Sequence, residues 1–203
     1  SIELKMTKVD FFYDLRSPYA YFAWMRRASV QASGVTFSLQ PVSIDVLLNL
    51  QAKREPWAEY VDPLAPPKRA HMISDIPRMA RYWGIPIGGP FTFKPSSKLA
   101  MNTLTHLSSL GVDLHALTNR FFEALWQQAR NIEDREVYDR ILLEANVSLL
   151  TEAENRSANE RLTENTRKAY EDGIFGVPSF RHNDNVYFGA DRMDVLAANF
   201  TKA

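Results

Sequence analysis

The residues most suited to chemistry lie where a strand-like segment runs directly into the start of a helix. Val9, Phe11, Phe12 and Tyr13 are β-branched or aromatic, which is typical of a buried strand. Ser17 is a good helix N-cap, and Pro18 suits the first helical position. A hydroxyl there lies beside unpaired backbone N–H groups, which favour an anion or a thiolate. Ser17 is therefore either a cap alone or a cap that also holds an anionic group.

Two segments near the other end of the chain carry a second set of polar groups. Pro178 follows Val177 at the start of a predicted strand, where it forms either an ordinary strand start or a cis-proline turn. Because proline leaves the backbone polar groups of the preceding residue free, Val177 is placed to pair with an extended peptide. Asp191 is either a helix N-cap or an acceptor for a substrate ammonium group.

The chain contains no cysteine, which limits the chemistry of this site. Residues 17–20 read Ser-Pro-Tyr-Ala where thioredoxin-type oxidoreductases carry C-x-x-C, so disulfide exchange and cysteine-ligated metals are excluded. A site of this shape can instead stabilise a thiolate that belongs to a bound molecule. The absence of cysteine fits a reducing compartment, and we expect a cytoplasmic protein.

Composition excludes several other classes. The 203 residues, 45% of them hydrophobic, suffice for one sizeable domain or a domain with a large insertion. Lys+Arg and Asp+Glu are 24 each, so the formal net charge is zero and we expect neither nucleic acid nor an anionic membrane as partner. No apolar run reaches the roughly 18 residues of a membrane span. The four histidines show no metal-ligand spacing, so no metal site is expected.

Periodicity places strands at both ends of the chain and helices in the middle. A second strand is predicted at 35–42, and strands at 177–181 and 186–189 precede a last helix at 190–200. Pro77 predicts a kink in the helix at 68–83, or its division into two short helices. The further helices are predicted at 44–50, 99–110, 114–125, 137–142 and 151–172.

This order predicts an α/β fold in which a thioredoxin-like domain receives an inserted domain. Residues 1–42 and 174–203 form the thioredoxin-like domain, and residues 43–173 form the inserted all-helical domain. The β-α-β half requires parallel pairing and a right-handed crossover.

The combination of D-x-x-S-P-Y at 14–19, F-G-V-P at 175–178 and F-G-x-D-R-M at 188–193 resembles one family. It is the family of 2-hydroxychromene-2-carboxylate isomerases and kappa-class glutathione transferases, and the resemblance extends over essentially the whole chain. It implies glutathione as cofactor, a small aromatic substrate and a homodimer.

The resemblance also implies roles for individual residues. Ser17 matches the catalytic serine that hydrogen-bonds the glutathione sulfur, and Lys68 matches a lysine that can reach the glycine carboxylate. The positions that match the residues holding the rest of glutathione are Val177 and Pro178 for the cysteinyl part and Ala190 and Asp191 for the γ-glutamyl end.

The substrate-facing positions are predicted in the same way. Lys94 and Asn102 lie in the segment that resembles the family's substrate-facing loop and helix, and Tyr19 contributes to an aromatic wall. A substrate carboxylate requires a cation, for which Lys94, Lys98 and Arg16 are the candidates.

Three functions remain open from the sequence. The first is a glutathione-dependent isomerase of the 2-hydroxychromene-2-carboxylate type, and the alternative is a kappa-like glutathione transferase. The third is a protein that binds glutathione without activity.

Overall fold

The chain forms a mixed four-stranded sheet in the computed structural model, which describes residues 6–201. The strand order is β2-β1-β3-β4. β1 pairs with β2 in parallel, whereas β3 is antiparallel to both β1 and β4. The strands are β1 (Thr7–Tyr13), β2 (Val35–Pro41), β3 (Ser179–His182) and β4 (Asn185–Phe188).

Eight α-helices lie within the described residues, and six of them fall between β2 and β3. The first, α1, joins β1 to β2 and completes the predicted β-α-β unit. The helices are α1 (Pro18–Gln31), α2 (Ile44–Gln51), α3 (Pro66–Trp83), α4 (Lys98–Ser109), α5 (His115–Phe122), α6 (Arg135–Glu144), α7 (Glu152–Glu171) and α8 (Met193–Ala198).

Of the two outcomes predicted for Pro77, the division into two short helices is wrong, because α3 runs as one helix with Pro77 inside it, and the kink stays a prediction. Pro77 has no N–H to donate to the carbonyl of Ile73, four residues earlier. Ile73 lies on an exposed part of α3, where water can donate a hydrogen bond to that carbonyl. The helix also begins earlier than predicted, at Pro66, because a proline in the first turn sacrifices no hydrogen bond.

The C-terminal segment differs from its prediction in detail. The third strand begins at Ser179, so Val177 and Pro178 lie outside it, and the peptide bond between them is cis. The last helix is divided into a 3₁₀ turn, Ala190–Arg192, and α8. Asp191 lies inside that turn and caps no helix, because Gly189 occupies the N-terminal position.

The sheet and the helical segment share one apolar core. Successive strand residues point to opposite faces, and the buried aromatic rings of β1 pack against α1 and α5 on one face. The Tyr13 hydroxyl hydrogen-bonds Thr118 at 2.7 Å, and the Trp126 Nε1–H donates to the Leu15 carbonyl at 2.8 Å. On the other face, Phe12 packs with a smaller cluster near the end of α7. The helical segment therefore helps to hold the loop that follows β1.

The thioredoxin-like architecture with helices inserted between its halves agrees with the prediction. The boundaries 1–42, 43–173 and 174–203 remain a prediction, and residues 1–5 and 202–203 lie outside those described. Within residues 6–201, no helix combines the length and apolar character needed to cross a membrane.

Candidate functional site

Ser17 lies at the N-terminal end of α1 with its side chain buried. Its Oγ accepts the N–H of Ala20 at 3.1 Å, which is the N-cap hydrogen bond that the sequence predicts. No group among residues 6–201 accepts the Ser17 hydroxyl hydrogen, which is thus available to a ligand. The positive end of the α1 dipole lies at the same point. The two features together stabilise negative charge beside Ser17.

The loop that carries Ser17 is fixed by a buried carboxylate. Asp14 is 4% exposed, and its Oδ1 accepts the N–H of Arg16 at 3.0 Å and the hydroxyl of Ser97 at 2.6 Å. Its Oδ2 accepts the N–H of Ile44 at 2.9 Å. Ile44 is the first residue of α2 and Ser97 is the N-cap residue of α4, so the Asp14 carboxylate links the Ser17 loop to the N-terminal ends of these two helices.

The cis-proline segment lies alongside this loop. The β1–β3 register pairs Phe12 with Ser179, so its continuation places Pro178 opposite Tyr13. Within residues 6–201, neither the N–H nor the C=O of Val177 forms a hydrogen bond, so both are free for an extended ligand. This is the arrangement that a peptide-like molecule requires for backbone pairing.

A groove of about 370 Å³ is lined by the cis-proline segment and by residues 188–191, and we call it the proline groove. The N–H of Gly189 donates to the Pro178 carbonyl at 2.9 Å, which ties its two loops together. On its other side, the residues are aromatic, apolar and acidic side chains of α1 and α3. The lining residues are Tyr19, Asp75, Met79, Trp83, Val177, Pro178, Phe188, Gly189, Ala190 and Asp191.

A side chain of α1 contacts the 3₁₀ turn that lines the groove and fixes its position. Arg26 donates to the Ala190 carbonyl, stacks over the Trp83 ring at 4.3 Å and lies 3.4 Å from Asp194. The Asp191 side chain is largely exposed and pairs only loosely with Arg192, at 3.3 Å. Asp191 is therefore accessible to a cationic group in the groove.

The Tyr19 hydroxyl already has a hydrogen-bond acceptor within the groove. Its hydroxyl donates to Asp75 Oδ2 at 2.8 Å, and Arg78 lies 3.0 Å from the other carboxylate oxygen. Burial raises the pKa of Tyr19, and the hydrogen bond and charge of Asp75 raise it further. Tyr19 is thus a neutral phenol at ordinary pH, with its hydrogen directed to Asp75 rather than to Ser17.

A second cavity of about 390 Å³ is lined by Asp14 and Arg16 of the Ser17 loop, and we call it the polar cavity. Arg16 lines it, forms an ion pair with Asp45 at 2.6 Å and lies 5.0 Å from the Tyr60 ring centroid. Lys98 and Asn102 line its α4 side. Asp14 and Arg16 thus line the polar cavity and Tyr19 lines the proline groove, whereas Ser17, which lies between them in the chain, lines neither space.

The predicted site residues divide between these two places. Five of them line the proline groove, namely Tyr19, Val177, Pro178, Ala190 and Asp191. Asn102 lines the polar cavity, and Lys94 lies at its edge with Nζ 5.8 Å from the Tyr60 ring centroid. Lys68 lies in the exposed first turn of α3, two turns before Asp75, and lines neither space.

Three positioning residues were not predicted from the sequence. Asp14 appears in the motif D-x-x-S-P-Y, but the motif gives no sign of its contacts with α2 and α4. Asp75 and Arg26 carry no sequence signal, because their partners Tyr19 and Ala190 are 56 and 164 positions away. The buried Asn49 amide also donates to the Ala58 carbonyl at 2.9 Å, which holds the loop after α2 in place.

No group of three or more His, Asp or Glu side chains suited to a metal ion occurs in the described part of the chain.

Comparison with known proteins gives relatives in two groups of enzymes. Glutathione S-transferase kappa 1 of Caenorhabditis elegans is 25% identical over 210 residues, which cover 95% of this chain and 90% of that protein. The 2-hydroxychromene-2-carboxylate isomerase of Pseudomonas sp. (strain C18) is 28% identical over 204 residues, which cover 96% and 91%. Both names are those of the family that the sequence motifs resemble, so that prediction is confirmed.

The solved structures and the family models agree on the fold. A solved 2-hydroxychromene-2-carboxylate isomerase superposes with a TM-score of 0.73 at 21% identity, over 95% of this chain and 94% of that one. The model of the DsbA-like thioredoxin domain matches residues 8–201. The match extends over nearly all described residues, and we conclude that this chain belongs to the DsbA-like thioredoxin domain family.

Proposed function

We propose that this protein is a glutathione-dependent isomerase of the 2-hydroxychromene-2-carboxylate type, in which Ser17 stabilises the glutathione thiolate. The observation that carries the proposal is the position of the Ser17 hydroxyl. It lies at a helix N-terminus with no acceptor for its hydrogen among residues 6–201, and Ser17 lies in the chain between Arg16, which lines the polar cavity, and Tyr19, which lines the proline groove. The relatives named for this activity support the reaction class.

The proline groove fits glutathione by the chemistry of its donors and acceptors. The free backbone N–H and C=O of Val177 match the amide groups of the cysteinyl part. Asp191 is exposed in the groove and can accept the γ-glutamyl ammonium group, while Ala190 lies beside it. Lys68 is exposed on α3 and would have to reach along that helix to meet the glycine carboxylate.

Ser17 acts on the sulfur as a hydrogen-bond donor. Its hydrogen bond and the α1 dipole both favour the ionised form, which lowers the thiol pKa from its usual value of about 8.5. When bound, glutathione would supply a nucleophilic thiolate for reversible addition to the unsaturated substrate, which is the chemistry that allows rotation about the substrate's double bond. Asp14 keeps the Ser17 loop in place while the substrate turns.

The substrate is assigned to the polar cavity. Asp14 and Arg16 of the Ser17 loop line this cavity, as do Lys98 and Asn102. Tyr19 and Lys94 border the site without lining that cavity. A small aromatic molecule with a carboxylate fits a space of this size and polarity.

The first experiment measures the thiolate directly. Glutathione is titrated into the protein across pH and the ultraviolet absorbance of the thiolate is recorded, with Ser17→Ala alongside. Loss of a hydrogen bond to a charged group costs about 1.5–3 kcal/mol, so we expect the bound thiol pKa to rise by about one to two units in the variant. Asp134→Ala is the control, since it removes the cap of α6 at a distance from both spaces.

Equal thiolate signals in the wild type and Ser17→Ala would refute the role of Ser17. Binding of glutathione without any thiolate would favour an inactive binding protein.

A kappa-like glutathione transferase is the second candidate, and the Caenorhabditis elegans relative favours it. Both activities use the same thiolate, but only a transferase consumes it. Free thiol measured during turnover separates them, because an isomerase leaves the thiol concentration unchanged and a transferase removes one thiol for each product molecule.

A further inference from the structure

One peptide group in the loop that carries Ser17 is fixed at both ends, the group that joins Leu15 to Arg16. Its carbonyl, on Leu15, accepts the Trp126 Nε1–H at 2.8 Å, and its N–H, on Arg16, donates to Asp14 Oδ1 at 3.0 Å. Within residues 6–201, Trp126 is the only donor to that carbonyl. Leu15 is fully buried, so water cannot replace the indole unless the loop rearranges.

The position of Ser17 depends on this peptide group. The Ser17 N–H donates to the Asp14 carbonyl at 3.0 Å, which closes a tight turn around the Leu15–Arg16 peptide. Because each residue has only two soft dihedral angles, a peptide group that rotates inside a closed turn displaces the residues on both sides of it. The indole of Trp126 therefore restrains Ser17 without touching it.

A π turn places this indole on the loop. After α5 the chain widens over Glu123–Gln127, where the Gln128 N–H donates to the Glu123 carbonyl, five residues earlier, at 3.0 Å. A wider turn changes the direction of the side chains that follow, and such turns are frequent at functional sites. The Trp126 carbonyl accepts the N–H of Gly88, which lies outside the turn, at 2.7 Å.

The segment between α3 and α4 packs tightly against the π turn. A Cβ on Gly88 would lie 2.4 Å from the Gln127 carbonyl oxygen, which is too close for any side-chain carbon. The Phe91 ring lies 5.3 Å from the Trp126 ring, measured between centroids, and Trp126 is buried. The indole is thus held in one orientation, as is required of a donor that fixes another group.

From these contacts we infer that Trp126 is a positioning residue for Ser17 and that the π turn serves to bring it to the loop. The inference rests on the proposed function, because it explains how Ser17 is kept in place to donate to a thiolate. It goes further by giving control of Ser17 to a side chain that lies 111 positions from Leu15 and lines neither the proline groove nor the polar cavity.

The first readout requires no glutathione. Amide hydrogen exchange at Arg16 and Ala20, whose N–H groups belong to the fixed peptide and to the Ser17 cap, is measured by NMR in Trp126→Phe. Trp24→Phe is the matched control, since Trp24 is buried in the same core and its Nε1–H donates to Asn119 at 2.9 Å. We expect both amides to exchange about tenfold faster in Trp126→Phe and at the wild-type rate in Trp24→Phe.

The second readout is the pKa of the bound glutathione thiol, taken from its ultraviolet thiolate absorbance across pH. A displaced Ser17 donates less well to the sulfur, so we expect this pKa to rise by about half a unit to one unit in Trp126→Phe, a roughly three- to tenfold loss of thiolate. Glutathione affinity at about pH 5, where the thiol is neutral, is expected to change less than about twofold, because the groove is intact.

Gly88→Ala tests the same control from outside the loop. Its added Cβ must displace the Gln127 carbonyl and with it the π turn, so we expect the same changes as in Trp126→Phe, but smaller. If Trp126→Phe does not fold, an unnatural amino acid that carries benzothiophene in place of the Trp126 indole takes its place. Benzothiophene keeps the shape of the ring system and removes only the N–H.

Unchanged exchange at Arg16 and Ala20 after loss of the Trp126 N–H would overturn the inference. Equal effects in Trp24→Phe would also overturn it, because a general loosening of the core would then be the cause. So would weaker binding of the neutral thiol with an unchanged thiol pKa. If the wild type shows no thiolate, the proposed function fails, and the exchange rates still decide whether Trp126 positions Ser17.

Discussion

At the scale of single residues, the site depends on a hydroxyl in the place of a thiol. A serine cannot exchange disulfides, but it retains a hydrogen to donate and an oxygen that caps α1 through Ala20. In the proposed function, this position therefore acts as a hydrogen-bond donor that stabilises a nucleophile on a bound molecule, rather than as the nucleophile itself. Tyr19 does not compete for this role, because Asp75 holds its hydroxyl hydrogen.

The buried phenols make the stability of the protein sensitive to alkaline pH. Burial raises the pKa of Tyr13 far above the unfolded value of about 10. The unfolded chain loses this proton first as pH rises, so the stabilisation is complete below about pH 10 and is lost above it. We expect the free energy of unfolding to fall by about 1.4 kcal/mol per pH unit for each such phenol above that pH.

Denaturant unfolding of Tyr13→Phe at several alkaline pH values checks this. The slope of the unfolding free energy against pH should be smaller than in the wild type by the contribution of one proton. Tyr82→Phe is the control, because the Tyr82 ring is 79% exposed. Parallel slopes for the wild type and Tyr13→Phe would contradict the prediction.

At the scale of elements, the turn between β4 and α8 shapes the proline groove. Gly189 has a φ of +105°, a conformation that residues with a Cβ rarely adopt, and its N–H donates to the Pro178 carbonyl. A Cβ at this position would clash with Oδ1 of Asp191. The glycine is therefore required both by the backbone and by the position of the carboxylate that faces the groove.

Gly189→Ala is expected to destabilise the protein by about 1–2 kcal/mol and to weaken glutathione binding by more than tenfold. The control is Gly111→Ala, since Gly111 has a φ of +75° with no atom within 4 Å of an added Cβ. Both variants carry backbone strain, but only Gly189→Ala displaces Asp191. Calorimetric titration with glutathione distinguishes them, and equal affinities in the two variants would argue against a binding role for the turn.

At the scale of the whole molecule, the helical segment and the sheet behave as one body of packed side chains. The buried aromatic side chains of β1, α1 and α5 belong to one cluster, and Asp14 links the Ser17 loop to both α2 and α4. This shared core fixes the position of the proline groove relative to the polar cavity. A substrate in one space and a cofactor in the other would meet at Ser17 for the same reason.

We expect the sheet and the helices to unfold in one cooperative transition. Tryptophan fluorescence reports on the shared core through Trp24 and Trp126, and far-ultraviolet circular dichroism reports mainly on the helices. Coincident denaturant midpoints are the expected result, because exposing the helical segment would also expose the core face of the sheet. Two separate midpoints would show that the predicted domains are independently stable.

The sequence by itself determined the elements near the site. The apolar strand, the Ser17 cap and the proline before β3 are local features, since each depends on the chemistry of a few adjacent residues. Combined motifs also sufficed to predict the family. The ends of the elements were less predictable from the sequence. A proline inside α3 does not end the helix, because the carbonyl of Ile73 that loses its hydrogen bond faces water.

The tertiary structure alone decided which polar groups meet. Asp14 contacts α2 and α4, Arg26 holds the turn at Ala190, and Asn102 hydrogen-bonds Asn155, all across large separations in the chain. Such contacts leave no local pattern, because an aspartate or asparagine has the same propensities whether it faces water or a buried partner. Their partners, and hence the division into a proline groove and a polar cavity, arise only when the helices pack on the sheet.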